Sequence, residues 1–181
     1  MAKHVDLIGS LALLALLVVA VAAFATGHDA DASGPDVPAV RVGTFDTRGV
    51  ALAYGRSEEF LSYVESLKTE RSDAEARGDS ERVAELDALG PRLQDELHKQ
   101  VFGGAPIPDI LAMIEDDLPD IAEAAGVDLI VADPLYLAPD AEMIDITRHM
   151  AAPFDPDEKT LEILDELLDR PPVDMDTPGD H

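Results

Sequence analysis

Apolar positions along this chain fall into three regimes: one unbroken run near the N-terminus, short alternating segments, and several stripes at helical spacing. From residue 7 to residue 25 only Gly9 and Ser10 interrupt the apolar side chains. About 20 apolar residues cross the hydrocarbon core of a bilayer. The run, with Leu7, Leu11, Leu14, Leu17, Val21 and Phe24 along it, therefore predicts an N-terminal hydrophobic helix that serves as a membrane anchor. It reads equally as a signal peptide, because residues 11–24 have the length of a signal core and Ala23-Phe24-Ala25 offers the small-x-small pattern that precedes cleavage. A buried core helix is the third reading, and one apolar on all faces needs a large surrounding protein. Anchor and signal share one consequence: with Lys3 as the positive flank, everything after Thr26 is placed outside the cytoplasm, in the periplasm or on the outer face of the membrane.

Residues 27–38 carry Gly, Pro, Ser and Asp with no apolar period and predict a flexible linker. Asp29-Ala30-Asp31-Ala32-Ser33-Gly34 imitates the start of a calcium loop, but Val40 occupies the twelfth position, where a bidentate Glu is required. A folded domain is predicted over residues 39–169. Val40-Arg41-Val42-Gly43-Thr44-Phe45 alternates as a strand does, and Asp46 caps a helix opening at Thr47. Ser57-Glu58-Glu59 opens a second helix, on which Phe60, Val64 and Leu67 share one face. After Arg77-Gly78-Asp79-Ser80 a stripe resumes through Val83, Leu86, Leu89, Leu93 and Leu97, and Gly90-Pro91 is expected to bend or split that helix. The apolar helix faces, and Phe60, Val64, Leu67, Leu86, Leu93 and Leu97 in particular, are the candidate contacts for other polypeptides.

Further on, Asp109 is read as the cap of a third helix, kinked at Pro119 and closed by Gly126. Val127-Asp128-Leu129-Ile130-Val131-Ala132 predicts a strand, Asp133-Pro134 a turn, and Leu135-Tyr136-Leu137 a return strand. Met143-Ile144-Asp145-Ile146-Thr147 leads into a short helix, and Asp155-Pro156 opens a last amphipathic one. Residues 170–181, rich in Pro and Asp, predict a disordered acidic tail. The predicted class is α+β: a small β body carrying a long, partly broken helical hairpin, preceded by the hydrophobic helix.

Val42-Gly43-Thr44-Phe45-Asp46, the segment Ile121-Ala122-Glu123-Ala124-Ala125-Gly126-Val127-Asp128-Leu129-Ile130-Val131, and Ile144-Asp145-Ile146-Thr147 together resemble the OmpH/Skp family of periplasmic chaperones. The likeness covers the two ends of the domain. It implies a small β-rich body assembled as a homotrimer, from which helical hairpins project to hold unfolded outer-membrane proteins apart. The resemblance implies two legs and one tip, whereas the residue pattern reads three helical pieces broken near Gly78, Gly90-Pro91 and Gly103-Gly104.

Charge separates this chain from that family, whose members are typically basic. Here 13 basic side chains face 38 acidic ones, a formal net charge of −25. Such a surface repels nucleic acid and anionic lipid headgroups, and it is a composition that high salt tolerates. With no cysteine there are no disulfides, thiolate metal sites or cysteine nucleophiles. His4, His28, His98, His149 and His181 are not paired at i, i+4, and no phosphate loop, dinucleotide fingerprint or nucleophile elbow occurs. Carboxylate pairs such as Asp116-Asp117 arise from composition alone. The expectation is a protein that is not an enzyme, holds no cofactor or metal, and binds unfolded or envelope proteins in the manner of a chaperone. An envelope adaptor or structural protein without holdase activity is the alternative.

Overall fold

The computed structural model describes residues 40–132, 134, 136–138 and 141–175. The chain divides into two units, Met1–Ala39 and Val40–His181. The N-terminal hydrophobic segment, the 27–38 linker and the tail from residue 176 lie outside the described residues.

Three short strands, β1 (Val42–Thr44), β2 (Leu129–Val131) and β3 (Met143–Asp145), form one sheet in the order β2-β1-β3. All pairings are parallel: Val42 lies level with Leu129 and Met143, and Thr44 with Val131 and Asp145. Helices with one small sheet give a mixed fold. The return strand predicted at Leu135-Tyr136-Leu137 does not form at its described positions. Tyr136 and Leu137 are outside any strand, and the chain pairs again only at Met143. A tight turn can join antiparallel strands only. The longer path from β2 instead carries the chain across to the opposite edge of β1.

The predicted Asp46 cap forms, and the second helix opens at Ser57 as read. Asp46 accepts a hydrogen bond from the Arg48 N–H and starts α1 (Thr47–Arg56). The Ser57 hydroxyl accepts from the Phe60 N–H and starts α2 (Glu58–Arg77), whose first turn holds Glu58 and Glu59, where the helix dipole favours anions. Gly78 takes the left-handed conformation at φ 72°, which a Cβ would strain, and turns the chain into α3 (Ser80–Gly103). Legs of 20 and 24 residues thus run antiparallel from a single tip, each roughly 30 to 36 Å long.

The expected split at Gly90-Pro91 does not occur, since α3 runs unbroken through Pro91. One missing hydrogen bond is outweighed because α3 packs on α2 near the tip and on α1 at its base. At the base, Leu97 lies so close to α1 that a Cβ added at Gly55 would meet its Cδ2 at 2.7 Å.

The predicted third helix is three pieces: α4 (Pro108–Met113), a 3-10 turn (Glu115–Asp117) and α5 (Leu118–Ala125). Asp109 is not its cap. Ile107 precedes Pro108, which fills the first turn, where its missing N–H costs nothing, and Asp109 instead accepts from the Gln100 side chain at 3.4 Å. Pro119 likewise starts α5 rather than kinking a longer helix, and Gly126 closes α5 at φ 68°. After β3 come α6 (Thr147–Ala151), a 3-10 turn (Ala152–Phe154) and α7 (Glu158–Leu168). The cap of α7 is Asp157, bonded to the Thr160 N–H at 2.7 Å, not the Asp155-Pro156 pair.

The core gathers Val50, Ile107, Ile110, Ile114, Ile146, Met150 and Leu164, all fully buried, between α1 and the rear helices. Leu97 packs on its edge. The start of the acidic tail is tied down: the Val173 N–H donates to the Phe102 carbonyl at 2.8 Å, and Arg48 donates to the Arg170 carbonyl at 2.7 Å.

Candidate functional site

The apolar stripes of α2 and α3 face each other without closing. Between them lies a groove of about 540 Å³, and all six predicted contact residues, Phe60, Val64, Leu67, Leu86, Leu93 and Leu97, line it. Only Leu86 among the six is buried; the others are half-exposed. The groove stays open for a geometric reason. The base of α3 is drawn onto α1 by Leu97 while α2 departs from α1 at Ser57, and the legs are clamped nearer the tip.

Two ion-pair networks make that clamp. Arg71 on α2 donates to Asp87 on α3 at 2.6 Å and to Glu75 at 3.1 Å. Arg82 on α3 pairs with Glu70 on α2 at 2.8 Å and with Glu85 at 2.7 Å. The hydrogen bond from Arg71 holds the Asp87 carboxyl below the ordinary carboxylate range, and the same bond raises the Arg71 guanidinium. For Arg82 the bonds to Glu85 and then Glu70 raise the guanidinium. These pairs are exposed and screened, so they set the register of the legs more than the stability of the domain.

Helical periodicity found the floor of the groove but not its walls. Lys68, Arg71, Asp87, Gly90, Pro91, Gln94 and His98 also line it. Lys68, Arg71, Asp87, Gly90 and Gln94 stand three or four positions from stripe residues, and that spacing is the signal that could have marked them. His98, read as a surface residue, is exposed and stands edge-on to Phe102 at 5.7 Å.

A second feature is the outer face of the sheet. Gly43 faces inward, where Ile146 and Val127 pack so closely that an added Cβ would meet them at 2.9 and 3.1 Å. Strand alternation puts Val42, Leu129, Val131 and Met143 on the other face, and none of them is buried; Leu129 is 49% exposed. All-parallel sheets in folded proteins are normally covered on both faces.

The third feature is a polar cleft of about 450 Å³ at the carboxyl ends of the strands, where Asp46, Arg48, Asp145 and Thr147 meet. Its groups are committed to one another. The Arg48 guanidinium, 4% exposed, donates to Asp46 at 2.6 Å; Asp145 accepts from the Thr147 N–H and hydroxyl at 2.8 and 2.6 Å; the Thr147 oxygen accepts from the Asp46 N–H at 3.0 Å. The cleft is a structural clasp joining β1, β3 and the tail, consistent with the capping role predicted for Asp46.

Among the described residues, no group of three or more His, Cys, Asp or Glu side chains is placed to hold a metal ion. No described helix is long and apolar enough to cross a membrane. Comparison with family models, curated proteins and solved structures gives no match.

Proposed function

We propose that the chain is a non-enzymatic, protein-binding component of the cell envelope, similar to the OmpH/Skp chaperones. It takes apolar segments of unfolded or envelope proteins between the legs of its hairpin. The observation that carries this reading is the convergence of Phe60, Val64, Leu67, Leu86 and Leu93 on one open groove rather than on the core, with Leu97 shared between the groove and the core's edge. Contiguous apolar surface of that kind marks interaction sites in soluble domains. The N-terminal apolar run, as signal peptide or anchor, supports a place in the periplasm or at the outer face of the membrane. The partly exposed outer face of the sheet, with Leu129 49% exposed, supports self-assembly, with a homotrimer as the form that the family resemblance implies.

An adaptor or structural role without holdase activity is the second reading, and the net charge of −25 favours it, because client capture by cationic helices is not open to this chain. Light scattering for the mass of the assembly, run beside suppression of aggregation of an unfolded β-barrel protein, separates the two. A trimer that suppresses aggregation supports the chaperone reading; an assembly inert toward the client supports the adaptor.

A further inference from the structure

We infer that the occupant of the hairpin groove is a cationic amphipathic helix supplied by another protein, an inference that rests on the groove being a polypeptide-binding site. Its apolar floor runs from Phe60 to Leu67 on one leg and from Leu86 to Leu97 on the other. At about 1.5 Å per residue these stretches span roughly 10 and 16 Å, the length of two to three helical turns. That matches the apolar stripe of one short helix with anchors at i, i+4, i+7 and i+11. An extended segment finds no sheet edge here, because both walls are helices whose backbone groups are bonded internally. Room for a bulky anchor exists beside Gly90, where an added Cβ would meet nothing within 4 Å.

Charge selects the partner's polar face. The hairpin from residue 58 to residue 103 carries twelve acidic and six basic side chains. The two cations lining the groove are already engaged, Lys68 with Glu65 and Arg71 with Asp87 and Glu75. Glu58, Glu59, Asp73, Glu81 and Glu96 take part in no ion pair among the described residues. The resulting field attracts a cationic segment. It repels an anionic lipid surface, and it disfavours the acidic hairpin of a second copy as the groove's occupant.

The absence of cysteine makes the test direct. Gln94→Cys, at an exposed position lining the groove, gives a single site for an environment-sensitive dye on the full-length chain held in zwitterionic-lipid nanodiscs, with empty nanodiscs as the blank. Three peptides of about 14 residues serve as probes: a leucine stripe with a lysine polar face, the same stripe with a glutamate face, and a scrambled lysine peptide. The expected result is a saturable dye response to the lysine-stripe peptide, with affinity about tenfold above either control. Binding weakens as salt rises from about 0.05 to about 0.5 M, and is lost in a Val64→Arg background that retains its circular dichroism. Equal binding of the lysine and glutamate stripes, both lost in Val64→Arg, would overturn the cationic partner while leaving the groove as a binding site. Equal binding of the scrambled peptide would overturn the helical one. No response to any peptide would remove the inference and the groove reading together.

Discussion

Replacing Pro91 with alanine asks whether α3 is one helix. Pro91 sits in the helix interior with its side chain exposed, so the change removes little packing. It restores an N–H for the Asp87 carbonyl one turn earlier and relieves the clash of the ring with that turn. Proline is about 3 kcal/mol less favourable than alanine inside a helix. Up to about 1 kcal/mol is returned because proline also restricts the unfolded chain. The net expectation is stabilisation by roughly 2 kcal/mol, which at a urea m-value of about 2 kcal/mol/M moves the unfolding midpoint up by about 1 M. Urea unfolding followed by far-UV circular dichroism reads this directly, with an unchanged m-value showing that only stability has moved. An unchanged or lower midpoint would refute the reasoning, since it would mean the chain leaves the helix at Gly90-Pro91 and the legs are not continuous.

Three further outcomes are expected. Gly49→Ala places a Cβ 2.6 Å from Thr147 Cγ2 in a packed interface, and the overpacking outweighs alanine's helix preference, so thermal unfolding should show a loss of about 1 to 2 kcal/mol. Asp46→Ala removes the α1 cap and leaves the buried Arg48 guanidinium without its carboxylate; chemical unfolding should show a loss of about 3 kcal/mol, and Asp46→Asn, which keeps the cap acceptor, a smaller one. Asp87, held low by Arg71, should titrate below the ordinary aspartate value of about 3.9 in carboxyl-detected NMR and return toward it in Arg71→Ala. Because the folded-state pKa is the depressed one, the clamp's contribution is present above about pH 4 and is lost as pH falls through the lowered value.

Local signals were legible wherever a residue acts on its own turn. Asp46, Ser57 and Gly126 cap helices because their side chains or conformational freedom meet backbone groups within a few residues. The stripe from Phe60 to Leu97 was legible too, as periodicity. That its two halves would stand apart was not, because the separation is set by Leu97 tucking against Gly55, a contact between α1 and the far end of α3. Gly90-Pro91 misled for the same reason: a local penalty of a few kcal/mol yields to packing at both ends of a long helix. The parallel path from β2 to β3 was hidden because Leu135-Tyr136-Leu137 has strand-like side chains, while pairing was decided by the free edge of β1. Asp109 lost its capping role to Pro108, which already occupies the first turn of α4.

The central claim is that the open hairpin groove holds polypeptide. Its most direct test is aggregation suppression of an unfolded β-barrel protein by the unmodified chain and by the Leu67→Glu/Leu93→Glu variant, each checked for equal helicity and equal assembly mass. Leu67 and Leu93 both line the groove and are only half-buried, so the variant is expected to fold. The account predicts suppression by the unmodified chain and its loss in the variant. Equal suppression by both would place binding elsewhere and contradict it.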